Sequence, residues 1–199
     1  MTEIKLLSVD VINEIAAGEV IEKPNSVVKE LIENSIDSKC SRVTVEIVSG
    51  GIKKILVSDD GRGIGEQYLE KAVQKHATSK MHSVSLKNIN SLGFRGEALY
   101  AIANASELTI ISRNKEMTEA RELKVLFGKV IKNSPAKGNF GTTVIVEDLF
   151  KKLPVRRKFL NTDRAEGLAI KNLIKKIALA YPSITFSFIE DGKEKLLLL

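Results

Sequence analysis

PNSVVKELIENSID, residues 24–37, and RVTVEIVSGGIKKILVSDDGRGIG, residues 42–65, are the two stretches that decide how this chain folds. Apolar residues recur at helical spacing in the first stretch, which predicts a helix from the Pro24 region to about Ser38. The second stretch alternates apolar and polar residues over 42–48, turns at Gly50-Gly51 and continues over 52–57. This pattern predicts an antiparallel pair of strands directly after the helix.

The remainder of the chain mixes helices and strands without a βαβ rhythm. Residues 76–97 form a long polar connection with one short helical patch near 86–89. We expect further helices at 66–75, 95–103 and 164–180, and strands at 106–112, 120–127, 129–132, 142–147, 184–189 and from 193 onward. The sequence therefore predicts an α+β fold, a two-layer sandwich in which helices cover one face of a mixed, mostly antiparallel sheet. Because the final four leucines resemble an interrupted strand, we expect residues 1–199 to be one domain of a longer protein.

Composition excludes several classes of protein. No apolar run is long enough for a membrane helix, and no signal-peptide core is present at the start of the sequence. Cys40 stands alone, which excludes disulfide frameworks and cysteine-rich zinc sites, and His76 and His82 lack the spacing of a metal-binding pair. The formal charge of +6 is compatible with a polyanionic partner such as DNA or a nucleotide, but many proteins of this charge bind neither.

Four groups of residues carry candidate chemistry. Glu30 and Asn34 are four residues apart, so they share a helix face, where a carboxylate and an amide oxygen suit a general base and a Mg²⁺ ligand. Asp59 to Gly65 places carboxylates and three glycines directly after a strand, where a flat ligand could approach the backbone. The glycines of residues 93–97 precede a predicted helix and suit phosphate binding, with Thr78, Ser79 and Lys80 upstream. Thr143 could place a hydroxyl beside a carboxylate on a neighbouring strand. Taken singly, a solvated helix face, a plain turn and a glycine-punctuated loop are competing interpretations.

Taken together and in order, these pieces resemble the ATPases shared by gyrase-type topoisomerases, sensor histidine kinases, heat-shock chaperones and MutL, the GHKL group. Within that group, the sequence most resembles the MutL mismatch-repair family. The motifs that carry the resemblance are NEIAAGEV at 13–20, SVVKELIENS at 26–35, GFRGEAL at 93–99 and LPVRRKFL at 153–160.

The resemblance implies that ATP and Mg²⁺ bind between the helices and the sheet. It implies that Glu30 is the general base and Asn34 the Mg²⁺ ligand, and that Asp59 accepts the adenine amino group. Thr143 would support Asp59 through water, residues 78–80 would form part of a lid, and residues 93–97 a phosphate loop. The nucleotide-contacting positions implied are Asn34, Asp59, Gly61, Gly63, Thr78, Ser79, Lys80, Gly93, Phe94, Arg95, Gly96, Glu97 and Thr143.

The resemblance also implies partners and a role. ATP binding and slow hydrolysis would drive N-terminal homo- or heterodimerisation, coupling mismatch recognition by a MutS-family protein to downstream repair, in the cytoplasm or the nucleus and without a membrane. A second subdomain and a C-terminal dimerisation region of the family have no match, so we expect these 199 residues to bind nucleotide but to hydrolyse it very slowly. Asp60 departs from the family's usual Asn, and its charge would either weaken nucleotide binding or face solvent.

A cluster of cations follows the predicted strand at 142–147. The cations are Lys151, Lys152, Arg156, Arg157 and Lys158. They suit a contact with the DNA backbone, although the sequence alone favours a solvated basic loop. Two alternatives to the mismatch-repair function stay open, a non-catalytic ATP- or DNA-binding scaffold and another GHKL enzyme such as a gyrase-type subunit or a kinase.

Overall fold

Helix α1 and the first hairpin form where the hydrophobic periods predict them. In the computed structural model, which describes residues 6, 20–78, 92 and 96–199, α1 spans Pro24–Asp37, β1 spans Arg42–Val48 and β2 spans Lys54–Asp59. The two strands pair antiparallel across a short 3₁₀ turn at Ser49–Gly51. Ile52 belongs to that turn, so β2 begins two residues later than predicted.

The other elements follow in the predicted order. They are α2 (Leu69–Ala72), α3 (Ala98–Ala105), β3 (Glu107–Arg113), β4 (Ala120–Leu126), β5 (Lys129–Ala136), β6 (Gly141–Glu147), α4 (Pro154–Lys158), α5 (Asp163–Ala180), β7 (Thr185–Glu190) and β8 (Lys193–Leu198).

Besides such shifts of a few residues, three stretches differ in the kind or extent of their secondary structure. The helix predicted at 66–75 is a 3₁₀ turn at Glu66–Tyr68 followed by the single turn of α2, because only Leu69 and Val73 in this stretch are buried. β5 continues to Ala136 through Pro135, which an edge strand tolerates because its outer amides need no ladder partner. The basic stretch, predicted as a loop, contains the short helix α4. The predicted patch at 86–89 lies outside the described residues.

The eight strands form one sheet in the order β5-β4-β3-β6-β2-β1-β7-β8. Among the strands that the structure describes, β1 and β7 pair in parallel and the other neighbours pair antiparallel. The predicted mixed, mostly antiparallel sheet is therefore confirmed.

On the central strands, alternate residues face the helices and form the core. Val43, Val45 and Ile47 of β1 are fully buried, and their partners on β2 include Ile55 and Val57. The buried faces of α1, α3 and α5 join them in one hydrophobic cluster, in which Val28, Ile32, Ile102, Ile170 and Ile174 are fully buried. This arrangement confirms the two-layer α+β prediction. Among the described residues, no helix has the length and apolarity needed to cross a bilayer.

Polar residues interrupt this core face at one end of the sheet. Asp59 ends β2, Thr142 lies directly opposite it on β6, and Ser112 lies opposite Thr142 on β3. Because direct cross-strand partners share a face, all three side chains lie on the side that the helices cover. We call these three residues the polar end of the sheet.

Candidate nucleotide-binding site

The Asp59 carboxylate is held by donors from α1 and from its own loop. Ser35, a buried residue on α1, donates its hydroxyl to Oδ2 at 2.8 Å, and the Gly61 amide donates to Oδ1 at 2.9 Å. Burial raises the pKa of the Asp59 carboxyl, and hydrogen bonds from Ser35, Gly61 and the Thr142 backbone limit that rise. Since an ionised carboxylate has about four acceptor positions, acceptor capacity remains for a ligand donor.

Thr142 and Ser112 extend the polar end away from Asp59. Their hydroxyl oxygens are 2.9 Å apart, and the Ser112 hydroxyl also lies 3.0 Å from the Gly141 carbonyl oxygen. The amide of Ile64 donates to the Ser112 hydroxyl at 2.8 Å. Ser112 therefore attaches the loop after β2 to β3 and β6.

Thr143 does not lie beside Asp59, and that sequence prediction was wrong. The register pairs Thr143 with Ser58, and their hydroxyl oxygens are 2.8 Å apart. Neighbouring residues of a strand point to opposite faces, so Thr143 lies on the face away from the helices. The threonine on the Asp59 face is Thr142.

The sequence analysis missed three hydroxyls of this site, those of Ser35, Ser112 and Thr142. A signal existed for Thr142, because counting back by two from the buried Val146 and Val144 leads to it. Ile145 obscured that signal, since an apolar residue at every position hides which face is the core.

Gly63 gives the loop after β2 its close packing. Its φ is +72°, and a Cβ there would lie 2.3 Å from the carbonyl oxygen of Arg113. The backbone of the loop can thus press against the end of β3 only with glycine at this position. The role of Gly63 in admitting a flat base stays a prediction.

Asp60 points away from the Asp59 carboxylate and takes a structural role. Its carboxylate accepts hydrogen bonds from the Ser41 amide at 2.8 Å, the Ser41 hydroxyl at 2.6 Å and the Arg42 amide at 2.9 Å. These bonds hold the pKa of Asp60 below its ordinary value despite some burial. Asp60 therefore anchors the start of β1, which neither alternative from the sequence analysis had included. Nearby, burial and the two carboxylates raise the pKa of the Cys40 thiol to about 12, so this cysteine is an inert core residue.

Glu30 and Asn34 lie on α1 upstream of Ser35. Glu30 is five residues before Ser35, which is about 7.5 Å along the helix axis. Its side chain is 29% exposed, and Lys29 Nζ lies 3.5 Å from Glu30 Oε1 and 2.9 Å from Glu33 Oε1. The helix therefore carries a solvent-accessible carboxylate and an amide, four residues apart, within the two turns that precede Ser35.

Thr78 lies next to a close contact between the predicted lid segment, residues 78–80, and the predicted phosphate loop, residues 93–97. Gly96 has a φ of +64°, and a Cβ there would lie 2.4 Å from the carbonyl oxygen of Ala77. His76 Nδ1 is 3.4 Å from Glu97 Oε1. The structure thus brings Thr78 together with Gly96 and Glu97. Five predicted site residues lie outside the described residues, namely Ser79, Lys80, Gly93, Phe94 and Arg95, as do residues 13–19 of the first motif.

The oxygen atoms available near Glu30 and Asn34 fit a Mg²⁺ ion that is coordinated mainly by the phosphates of a bound nucleotide. Within the described ranges, no group of three or more His, Cys, Asp or Glu side chains could hold a metal. Asn34 offers one amide oxygen on the Glu30 face of α1. Mg²⁺ in nucleotide sites usually takes one or two protein oxygens and completes its shell with phosphates and water, so one such residue is sufficient.

The predicted basic cluster lies at the other end of the sheet. Lys151 follows β6, and Arg156, Arg157 and Lys158 belong to α4. Since β2 and β6 are antiparallel and Asp59 pairs with Thr142, the residues after Glu147 lie a full strand length from the polar end. The basic cluster is therefore separate from the candidate nucleotide site.

The comparison with protein families agrees with this geometry. Residues 21–138 match the family described as histidine kinase-, DNA gyrase B- and HSP90-like ATPases. Because the match covers more than half of the chain, the chain belongs to this family of ATPases.

Individual relatives narrow the comparison to one group within the family. The chain is 47% identical to the DNA mismatch repair protein MutL of Halothermothrix orenii over 97% of its own length, and 50% identical to that of Bartonella tribocorum over 92%. It spans about 30% of the length of these relatives. A solved structure of the Aquifex aeolicus MutL ATPase domain complexed with ADP aligns with a TM-score of 0.76 and 37% identity, covering 90% of this chain and 64% of that one. The predicted resemblance to the MutL family is confirmed.

Proposed function

We propose that the chain binds ATP with Mg²⁺ between α1 and the polar end of the sheet and takes part in its hydrolysis. The observation that carries the proposal is the placement of Ser35 over Asp59 by the same helix that presents Glu30 and Asn34. One rigid element thus connects a base-recognition group to a general base. The ADP complex of the Aquifex relative supports the same ligand class.

Asp59 would recognise the adenine. Burial raises the pKa of this carboxyl, and the hydrogen bonds from Ser35 and Gly61 favour its ionised form. A remaining acceptor position on the carboxylate would receive the exocyclic amino group of the base. Gly63 would allow the ring to lie close to the loop, and Thr142 would contribute its hydroxyl in the place assigned to Thr143 from the sequence.

The phosphates would extend from Asp59 towards Asn34 and the Thr78–Gly96 junction. Asn34 would hold Mg²⁺, which neutralises charge that develops on the phosphates when it is bound. Gly61, Thr78, Gly96 and Glu97 complete the proposed contacts among the described residues. Ser79, Lys80, Gly93, Phe94 and Arg95 stay predicted contacts from the sequence.

Glu30 would act as general base for the attacking water. Its partial exposure gives water access, and Lys29 Nζ lies 3.5 Å from its Oε1. A positioned general base contributes about 10²–10⁴ to a rate. Asn34, four residues on, would keep the metal on the same side of the helix.

At the level of the whole protein, we propose a role in DNA mismatch repair. ATP binding and slow hydrolysis would drive dimerisation of the N-terminal regions and couple mismatch recognition by a MutS-family partner to downstream repair. The relatives named MutL support this role. The basic cluster at 151–158 would contact the DNA backbone. Repair of chromosomal DNA would place the protein in the bacterial cytoplasm or, in a eukaryote, in the nucleus.

A binding titration tests the nucleotide site. A fluorescent, non-hydrolysable ATP analogue is titrated into the chain with and without Mg²⁺, beside Asp59→Asn and Asp60→Asn. We expect saturable, Mg²⁺-dependent binding that Asp59→Asn weakens at least tenfold, about 1.4 kcal/mol. Asp60→Asn should change the affinity less than twofold, because Asp60 bonds Ser41 and Arg42. Equal losses in the two variants would contradict the assignment of Asp59.

A turnover assay tests the general base. Glu30→Gln is compared with Glu33→Gln, since both carboxylates contact Lys29 and only Glu30 has the proposed role. In a chain extended to the length of the MutL relatives, Glu30→Gln should lower the hydrolysis rate by about 10²–10⁴ and leave analogue binding intact. A Glu30 variant that folds but no longer binds the analogue would count against this role.

A further inference from the structure

Arg121 lies in line with the polar end of the sheet. Ser112 on β3 has Thr142 of β6 as its partner on one side and Arg121 of β4 on the other. Because direct cross-strand partners share a face, the row of polar residues continues with Arg121 on the side that the helices cover. Leu123, two residues further along β4, is fully buried, as this face of the sheet requires. Arg121 belongs to none of the four motifs that carry the family resemblance.

The guanidinium group of Arg121 bonds two polar side chains. Its Nη1 donates to Glu66 Oε1, and its Nε donates to Asn133 Oδ1 at 2.6 Å. Asn133, on the neighbouring strand β5, donates its Nδ2 to Glu70 Oε1 at 2.7 Å. Glu66 begins the 3₁₀ turn and Glu70 lies in α2, so β4 and β5 hold both parts of this short helical segment.

The loop after β2 crosses the row of polar residues on its way to that segment. It leaves β2 beside Asp59 and reaches β3 where the Ile64 amide donates to the Ser112 hydroxyl at 2.8 Å. It reaches β4 where Glu66 bonds Arg121. The loop is thus attached at three strands of the sheet, and Arg121 makes the attachment at its far end.

Arg121 is too far from Asp59 to contact the base that this carboxylate would bind. Three strand spacings of about 4.8 Å separate the two residues, about 14 Å in all. Arg121 can therefore act on the site only through the loop, in which Gly63 packs against the backbone of Arg113. A loop that is held in place before the ligand arrives loses less freedom on binding, and the affinity is correspondingly higher.

We propose that Arg121 is a positioning residue, which fixes the loop after β2 in the conformation that accepts the adenine ring and so raises the affinity for nucleotide without touching it. The inference rests on the proposed nucleotide site and adds to it a residue that the sequence analysis did not assign. The side chains of Arg121 and Glu66 are 24% and 56% exposed, so their contribution is that of a partly exposed ion pair. Removal of the pair should weaken nucleotide binding about threefold to fivefold.

The test compares Arg121→Gln with Lys132→Gln in the titration with the ATP analogue. Lys132 pairs with Glu122 at 2.8 Å on the same two strands. Since Glu122 is the neighbour of Arg121 along β4, this pair lies on the opposite face of the sheet, away from the loop. We expect Arg121→Gln to weaken binding about threefold to fivefold and Lys132→Gln to leave it unchanged. Glu66→Gln should repeat the loss, and combining it with Arg121→Gln should add little, because both substitutions remove the same contact.

Amide hydrogen exchange in the free chain distinguishes positioning from a general loss of stability. The Ile64 amide should exchange about threefold to fivefold faster in Arg121→Gln than in the wild type, because the loop opens more often. The amide of Val57, a buried residue in the middle of β2, should keep its rate. A variant that merely destabilised the whole domain would accelerate both amides by the same factor.

Four results would overturn the inference. They are wild-type affinity in Arg121→Gln, an equal loss in Lys132→Gln, additive losses in the double variant, and equal acceleration of exchange at Ile64 and Val57. If the wild-type chain itself bound no analogue, the proposed nucleotide site would be refuted and the inference with it. A wild-type chain that binds, together with an Arg121 variant that binds equally well, contradicts the inference alone.

Discussion

Removal of the Ser35 hydroxyl should destabilise the protein in a pH-dependent way. Ser35 is buried and donates to Asp59 Oδ2 at 2.8 Å. A hydrogen bond to a charged group contributes about 1.5–3 kcal/mol, and one between neutral groups about 0.5–1.5 kcal/mol. Ser35→Ala should therefore lower the free energy of unfolding by about 1.5–3 kcal/mol at pH 8, and by less at pH 4, because the raised pKa of Asp59 shifts its carboxyl towards the protonated form as the pH falls.

The sign of this effect follows from proton linkage. Burial raises the pKa of Asp59 above its ordinary 3.8, so the folded state binds the proton more tightly than the unfolded chain does. The free energy of unfolding therefore falls as pH rises through the folded pKa. Without the Ser35 donor the pKa of Asp59 rises further, which makes that fall larger.

Urea unfolding at pH 4 and pH 8 measures both quantities, with Ser38→Ala as the matched control. The Ser38 hydroxyl donates mainly to the Ser35 carbonyl oxygen at 2.7 Å and lies 3.5 Å from Asp59 Oδ1. Its removal should cost the same at both pH values. Equal losses for Ser35→Ala at pH 4 and pH 8 would refute the argument, as would a pH dependence of the same size in Ser38→Ala.

Two further predictions use pairs of variants that differ in one structural respect. Thr142→Val should weaken binding of the ATP analogue about tenfold, the value of one good hydrogen bond, whereas Thr143→Val on the opposite face should change it less than twofold; the reverse order in the titration would show that the strand faces are misassigned. Gly63→Ala and Gly192→Ala both place a Cβ at a φ near +72°, a cost of about 1–2 kcal/mol each, but only the first would meet backbone atoms, since nothing lies within 4 Å of a Cβ at Gly192. Urea unfolding should therefore give a loss for Gly63→Ala that is larger by about 1–3 kcal/mol, and equal losses would remove the close-packing argument.

Local patterns predicted the part of the site whose geometry is local. Glu30 and Asn34 share a helix face because of their spacing, and Asp59 stands out because it follows a buried strand. The choice between Thr142 and Thr143 depended on which face of β6 meets the helices, and three consecutive apolar residues leave that choice open. The pairing of β6 with β2 decides it, and this pairing joins residues more than 80 positions apart.

The role of Asp60 could not be predicted for a similar reason. From the sequence, the adjacent carboxylates of Asp59 and Asp60 were both considered as neighbours of the nucleotide. In the structure, alternation along the strand end turns them apart, so that Asp59 meets Ser35 and Asp60 meets Ser41. The amides that Asp60 satisfies belong to the start of β1, and only the folded register reveals that they need an acceptor.

The register between β2 and β6 also couples the correct assembly of the candidate site to the stability of the fold. Thr142 shares its strand face with Val144 and Val146, which lie in the core. A slip of one residue that moved Thr143 opposite Asp59 would turn both valines outward and turn Ile145 and Glu147 to the core face. The exchange would lose the burial of one apolar side chain, about 1.5–3 kcal/mol, and would bring a carboxylate to the core face. Domains are only marginally stable, so incorrect pairing of these strands would remove a large part of the free energy of unfolding. The unfolded chain would then be exposed to proteolysis. The folding equilibrium thus selects for a correct site, because the stably folded molecules are those in which the Thr142 hydroxyl lies on the same face as Asp59.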